Sequence, residues 1–269
     1  MANNKAIGVF DSGIGGLTAV RELIKLLPNE DIIYLGDTAR VPYGTKSRET
    51  ILKYAKQDFA FLENLGVKMI IAACGTVSSV VSSSESLGES LYTGVIGPAA
   101  ESAVKATKNG KIGVIGTSAT IRSGSYRKEI AKLMPEAEVF DKACPMFVPL
   151  VENGYTELGC KPCEIIAEEY LSELREKGID TLIMGCTHYP LLEEIIAKTM
   201  GSGVKLISSG GEAGKYAQKI LAEKDLLNAK KEAGKITLYC TDSVELFSEN
   251  AQHFLAGLGN FEIKSCTLE

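Results

Sequence analysis

The sequence predicts an α/β fold of two pseudo-symmetric α/β domains with mostly parallel central sheets and the active site in the cleft between them. Three observations lead there. Two short aliphatic runs, Met69-Ile70-Ile71-Ala72-Ala73 and Leu182-Ile183-Met184, each end near a cysteine, Cys74 and Cys186. Neither run alternates, and each follows an amphipathic stretch that stops at a glycine, Gly66 or Gly178, which is the pattern of a strand covered on both faces of a parallel sheet. Finally, the chain resembles itself. Glu22-Leu23-Ile24-Lys25-Leu26-Leu27-Pro28 reappears as Glu129-Ile130-Ala131-Lys132-Leu133-Met134-Pro135, Ile7-Gly8-Val9 as Ile112-Gly113-Val114, and Cys74 as Cys186, in unchanged order. Each unit thus supplies one cysteine at the carboxyl end of a strand, where open α/β sheets hold ligands.

A chain of 269 residues, 45% hydrophobic, can bury two cores. The repeat divides it into a discontinuous first domain, residues 1–97 and 210–269, and a second domain, 98–209. The net charge of −5 comes without a basic stripe or basic-aromatic cluster, which argues against nucleic acid and for a small-molecule substrate. No apolar run approaches membrane-spanning length, and Met1-Ala2-Asn3-Asn4-Lys5 leads into the first strand with no signal peptide, so a cytoplasmic protein without membrane contact is expected. Seven cysteines, an odd number, then read as reduced thiols.

Ala6–Phe10 is the first strand, and Asp11-Ser12-Gly13-Ile14-Gly15-Gly16 turns it into a helix with Leu17, Val20, Leu23, Ile24 and Leu27 at helical spacing. Gly13-x-Gly15 is a fragment of a dinucleotide fingerprint without the third glycine in place, so nicotinamide is not expected. Such a turn still offers backbone N–H groups to a carboxylate. Asp11 either faces the same cleft as Cys74 or caps the helix. Asp31–Leu35 is the second strand, and Val41-Pro42-Tyr43-Gly44 reads as a turn with an exposed ring. Ile51–Leu65 is helical, Thr76, Ser78 and Ser79 start a helix after Cys74, and Val95-Ile96-Gly97-Pro98 reads as a short strand where the chain crosses into the second unit.

That unit opens with Lys111–Ile115 and Gly116-Thr117-Ser118-Ala119-Thr120, hydroxyls replacing the carboxylate of the first turn. A strand near Val139 follows, then a loop from Pro145 to Gly154 in the place of the Tyr43 loop, in which Glu152 by itself reads as a solvated charge. Cys160-Lys161-Pro162-Cys163 has the spacing of a zinc half-site, but it lacks a second pair and a nearby histidine, and Pro162 suits a first helical turn, so no metal is expected. A helix from Ile165 to Lys177 leads to the Cys186 strand, with His188 two residues beyond that cysteine. A strand Val204–Ile207, a hinge-like Ser208-Ser209-Gly210-Gly211, a helix to about Leu227, a strand Ile236–Tyr239 and an amphipathic Val244–Leu255 complete the chain. This tail has no counterpart in the second unit and is assigned to the first.

A lone buried cysteine is ordinarily a small apolar residue. Two at equivalent positions of facing units instead suit a ligand held between two thiols. A thiol acts as a base when polar neighbours or a helix N-terminus favour its thiolate, and both cysteines have such neighbours. One thiolate can then remove a proton from one face of a carbon while the opposite thiol delivers one to the other face, inverting a stereocentre without redox chemistry.

Nearly the whole chain resembles the aspartate/glutamate racemase family, through Phe10-Asp11-Ser12-Gly13-Ile14-Gly15-Gly16-Leu17, Asp37 through Pro42-Tyr43-Gly44, Ala73-Cys74-x-Thr76, Gly116-Thr117-x-x-Thr120 and Gly185-Cys186-Thr187-His188-Tyr189-Pro190-Leu191. The resemblance implies cofactor-independent interconversion of L- and D-glutamate, supply of D-glutamate for peptidoglycan, and a homodimer. It implies that Cys74 deprotonates D-glutamate and Cys186 L-glutamate, each acting as acid in the other direction. Asp11 assists Cys74, and Glu152 and His188 assist Cys186. Substrate binding falls to Asp11, Ser12, Pro42, Tyr43, Gly44, Gly75, Thr76, Thr117, Thr120, Thr187 and His188. His188 favours glutamate over aspartate, since the aspartate racemases resemble Cys-Thr-Glu there. One position departs: the family's Asn after the first cysteine is Gly75 here, and a lost hydrogen bond to a charged group is worth about 1.5–3 kcal/mol, which predicts altered affinity.

Three other readings compete. A racemase for aspartate or another acidic amino acid keeps the same chemistry. A two-lobed binding protein would hold an amino acid without turning it over. A cysteine hydrolase using Cys186 and His188 would leave Cys74 idle, and those two side chains are expected to point apart.

Overall fold

Burial along the strands follows from their composition. β1 (Ile7–Asp11) is buried throughout, as an aliphatic strand in the middle of a sheet must be. The computed structural model describes residues 4–81 and 87–268; Met1–Asn3, read above as a lead into the first strand, lie outside them. After β1, Leu17, Val20 and Leu23 bury one stripe of α1 (Leu17–Leu26). Then come β2 (Ile32–Gly36), α2 (Arg48–Asn64), whose N-cap Ser47 accepts from the Thr50 N–H, β3 (Met69–Ala72), α3 (Gly75–Val80) and β4 (Leu91–Gly94).

The segment Val95–Pro98, expected to be a strand, is instead the N-cap and first turn of α4 (Ile96–Ala106). Its β-branched pair suits a strand, but Pro98 falls in the first turn, where the missing N–H costs nothing. The second unit runs through β5 (Lys111–Gly116), α5 (Ser118–Ser123), α6 (Ser125–Leu133), β6 (Glu138–Ala143), α7 (Phe147–Glu152), α8 (Lys161–Glu176), β7 (Thr181–Met184), α9 (Glu193–Met200) and β8 (Lys205–Ser208). The expected loop Pro145–Gly154 therefore contains a helix, with Pro149 in the first turn of α7. Cys160 is the N-cap of α8, Pro162 lies in its first turn, and the Cys163 thiol donates to the Tyr155 carbonyl at 2.8 Å.

The hinge expected at Ser208–Gly211 is the start of α10 (Ser209–Glu223), Ser208 capping it by accepting from the Gly211 N–H. Its glycines serve contact rather than bending: a Cβ on Gly210 would lie 3.1 Å from the Ala19 Cβ of α1. The helix ends at Glu223, short of the expected Leu227. β9 (Ile236–Cys240) and α11 (Val244–Phe254) follow, and then a strand not anticipated from the sequence, β10 (Phe261–Ser265).

Ten strands form two sheets in the described residues, ordered β10-β9-β2-β1-β3-β4 and β6-β5-β7-β8, with every pairing parallel. The run β2-β1-β3-β4 is repeated by β6-β5-β7-β8. Registers agree as well: Phe10 lies opposite Ala72, and Ile115 opposite Met184, so Cys74 and Cys186 each stand two residues past equivalent strand ends. The last two strands extend the first sheet at β2. One continuous apolar core runs from Ile7, Leu17 and Val20 into Ile112, Leu182 and Ile196, while the other face of the first sheet holds a second, around Phe10, Ile51, Phe59 and Ile70.

A buried ion pair ties the segment after α10 to the first sheet. Lys68 Nζ lies 2.5 Å from Glu30 Oε2 and donates to the Leu226 carbonyl at 2.7 Å, and Glu30 Oε1 accepts from the Asn228 N–H. Removing one partner strands a charge in the core, so Lys68→Ala is expected to lower stability by about 3–5 kcal/mol in urea unfolding. A loss under about 1 kcal/mol would show that the pair does not hold this segment.

Candidate active site

The carboxyl ends of β1 and β3 in one sheet face those of β5 and β7 in the other across a cavity of about 460 Å³. Its walls carry Asp11, Ser12, Pro42, Tyr43, Gly44, Cys74, Gly75 and Thr76 from the first unit and Thr117, Thr120, Glu152, Cys186, Thr187 and His188 from the second. Every site residue singled out in the sequence therefore lines one cleft. Val41, Pro145, Val148 and Pro149 add an apolar wall that the sequence did not mark as part of a site. A larger groove of about 940 Å³ beside α3, α4 and α6 contains neither Cys74 nor Cys186.

Cys74 is the N-cap residue of α3, in extended conformation, with the thiol almost wholly buried and 3.5 Å from Ser12 Oγ. Burial, and then the neighbouring Asp11 carboxylate, push its pKa up to about 12, so it rests as a thiol. Asp11 is also buried. Its Oδ2 accepts from the N–H groups of Gly16 at 3.0 Å and Gly13 at 3.3 Å. Burial raises the Asp11 pKa, opposed by His188 and by those two N–H groups.

The opposite wall differs. The chain leaves β7 at Met184 and turns at Gly185, which brings Cys186 and His188 together: Sγ lies 3.7 Å from Nδ1. The expectation that these side chains diverge is thereby corrected, because Cys186 and His188 lie beyond the strand. His188 Nε2 meets Glu152 Oε1 at 3.0 Å, so Glu152 is half-exposed but not a free solvated charge. Burial alone would lower the His188 pKa; the bonds to Cys186 and Glu152 outweigh it and raise the value to about 10. The ring is thus an imidazolium at neutral pH, and a cation within reach of a sulfur is the arrangement that stabilises a thiolate.

The sign of the pH effect follows. A raised pKa means the proton is kept up to about pH 10 and lost above it. Activity that depends on the imidazolium is expected to fall as pH rises through about 10, and Glu152→Gln, which removes one of the groups holding that proton, to move this alkaline limb down by about one unit. An unmoved limb in the kcat/KM profile would dissociate Glu152 from His188.

Hydroxyls complete the cleft. Thr117 caps α5, accepting from the Thr120 N–H at 3.3 Å, and its Oγ1 lies 3.0 Å from Thr120 Oγ1 and 3.5 Å from Thr76 Oγ1 across the cleft. Tyr43, expected in an exposed turn, is buried. Its hydroxyl donates to Asp37 and lies 3.1 Å from Asp58 Oδ2, and Arg40 binds both carboxylates, at 2.5 and 3.0 Å. The phenol thus anchors the Pro42–Thr45 wall from behind; the network could not be read locally because Asp58 lies on α2. No group of three or more His, Cys, Asp or Glu side chains fit to hold a metal occurs among the described residues, and no helix there is long and apolar enough to cross a membrane.

Two like α/β units, each offering a thiol at the same strand-end position to one polar cleft, define a class of isomerases, and the chain belongs to the Asp/Glu/hydantoin racemase family, whose sequence model matches residues 7–217. Among its curated relatives, the chain is 46% identical over 256 residues to the glutamate racemase of Geobacter metallireducens, covering 94% of this chain and 93% of the relative. It is also similar to two crystal structures. One is glutamate racemase isoform RacE1 of Bacillus anthracis, at 36% identity, TM-score 0.92, and 99% and 98% coverage of the two chains. The other is the Francisella tularensis glutamate racemase in complex with D-glutamate, at 41% identity, TM-score 0.86, and 99% and 97% coverage.

Proposed function

We propose that this protein is a glutamate racemase that interconverts L- and D-glutamate by transferring protons between two cysteines and Cα. The observation that carries the reading is the opposition of Cys74 and Cys186 at equivalent strand ends of one cleft. In the L to D direction, the Cys186 thiolate, held by His188, takes the Cα proton from one face, and the Cys74 thiol gives its own to the other. The reverse reaction starts from the opposite protonation state. Each turnover leaves the proton count of the pair unchanged and exchanges which sulfur carries the proton. Asp11 assists Cys74, and Glu152 orients His188.

Substrate carboxylates and ammonium are held by Ser12, Thr76, Thr117, Thr120 and Thr187 together with the backbone at Pro42–Gly44 and Gly75, with backbone N–H groups at the starts of α3 and α5 turned to the anions. The division into residues 1–97 with 210–269 and residues 98–209 is supported by the two sheets. A cytoplasmic homodimer that supplies D-glutamate to peptidoglycan is the cellular setting consistent with this family.

The deciding test is circular dichroism of L-glutamate incubated with metal-free protein in D₂O, with L-aspartate in parallel. Decay of the glutamate signal with deuterium at Cα is expected. Decay only with aspartate would move the enzyme to another acidic substrate, and silence in both tubes would leave a binding protein.

A further inference from the structure

The pair Cys160-Lys161-Pro162-Cys163 lies outside the cleft, and its two thiols, both free, are differently placed. Cys160, the N-cap residue of α8, is half-buried between exposed residues 157–159 and 161–162. Cys163, three residues on, is wholly buried. Burial first, and then contact with the Cys160 thiol, push the Cys163 pKa up to about 12. Helix geometry sets Cα atoms three residues apart at about 5 Å, inside the range of about 4.4–6.8 Å that a disulfide spans. One sulfur is thus accessible for attack and its neighbour is sheltered, ready to resolve a mixed disulfide.

Cys163 is also tied to the active site. Its thiol donates to the Tyr155 carbonyl at 2.8 Å, the Tyr155 N–H donates to the Leu150 carbonyl of α7 at 2.9 Å, and α7 ends in Glu152, which meets His188 Nε2 at 3.0 Å. Phe147 and Val151 of α7 share a core with Cys163. Of the titratable groups that act on His188, namely Cys186, Glu152 and Asp11, only Glu152 stands on α7.

We propose that Cys160 and Cys163 form a redox-active dithiol, a modification site for small disulfides, and that its oxidation frees α7 and with it the Glu152 contact to His188. The Cys160 thiolate attacks one sulfur of the small disulfide, forming a mixed disulfide and expelling a thiolate. Cys163 then gives up its proton and attacks the Cys160 sulfur, closing the Cys160–Cys163 bond and expelling a second thiolate. The two protons of the cysteines end on the two expelled thiols, and the two electrons the cysteines lose reduce the small disulfide. With no S–H left on Cys163, the Tyr155 carbonyl loses its donor and α7 its tie to α8. Loss of turnover by this route rests on the racemase reading; the disulfide and its effect on His188 do not.

The test equilibrates the full chain with mixtures of glutathione and glutathione disulfide, quenches it with acid and alkylates it unfolded. In the oxidised mixtures the peptide carrying Cys160 and Cys163 is expected to lose two hydrogens and resist alkylation, while Cys74 and Cys186 are alkylated. The chain has two histidines, His188 and His253, so the His188 ring can be followed by NMR. Its titration midpoint, about 10 in the reduced protein, is expected to fall by about one unit on oxidation, the same shift as in Glu152→Gln. At pH 10 such a fall lowers the protonated fraction about fivefold, and kcat/KM on glutamate with it, and dithiothreitol is expected to restore both. Cys160→Ser removes the attacking sulfur, leaves the bond from Cys163 to Tyr155 and supplies a good N-cap, so it is expected to keep the reduced activity and ignore the oxidant. Full alkylation of Cys160 and Cys163 in glutathione disulfide alone would overturn the proposal. So would a disulfide that leaves the His188 midpoint in place, or an equal response of Cys160→Ser to the oxidant. A reduced wild type inactive on glutamate, with the disulfide and the His188 shift intact, would instead overturn the assigned reaction.

Discussion

Cys74→Ala is expected to lose at least about 10³-fold in kcat/KM for glutamate in both directions, a loss within the range that a positioned acid or base contributes. The two directions must fall together, because the equilibrium constant between enantiomers is one and fixes the ratio of their kcat/KM values. The structure gives Cys74 no substitute. The Ser12 hydroxyl, 3.5 Å from its sulfur, is a far weaker base, and Oδ2 of Asp11 is taken up by the N–H groups of Gly13 and Gly16. Binding of D-glutamate measured by calorimetry is expected to persist within a few-fold, since the cleft hydroxyls remain. A variant that still inverted glutamate at a tenth of the wild-type rate would exclude the two-thiol mechanism, and retained hydrolysis of an ester or amide would point to Cys186 acting alone.

Gly15→Ala is expected to cost about 10²-fold through a different route, by displacing an imidazole. A Cβ on Gly15 would lie 2.3 Å from His188 Nδ1 and 2.8 Å from Thr187 Oγ1, so the turn after β1 closes directly against the ring that serves Cys186. The ring has little freedom, for Glu152 holds Nε2 and Phe254 packs edge-on at 6.1 Å between centroids. Moving it breaks the contact with Cys186 and lowers the His188 pKa from about 10. The variant should therefore lose activity at neutral pH and show its alkaline limb at lower pH. Wild-type kcat with an unshifted profile would mean that the ring moves without consequence.

Much of this site was legible because its elements are local. Short aliphatic runs ending at Cys74 and Cys186 define their strands, and a repeat in one chain announces two equivalent strand ends. What escaped depends on partners distant in sequence or on backbone detail. Tyr43 was misread because the carboxylates that bury it belong to Asp37 and, through α2, Asp58. His188 could not be aimed at Cys186 until the chain was seen to leave the strand at Met184. Prolines concealed two helices: Pro149 in α7 and Pro98 in α4 both occupy first turns, where proline is tolerated. β10 was missed because Phe261 and Ile263 form a half-exposed edge whose pairing with β9 supplies the order.

The placement of β9 has a consequence for how the protein is made. Its partner β2 is synthesised about two hundred residues earlier, and between them lie α2, the Cys74 segment, β4, α4, the whole second sheet and α10. During translation the second sheet can complete itself from contiguous chain, whereas the first waits with the unpaired N–H and C=O groups of β2 open to any passing strand. The half that holds Asp11 and Cys74 is thus the last to finish. A ribosome stalled before Ile236 would carry a closed second lobe beside an open-edged first one, and that open edge is where misassembly between nascent chains would begin.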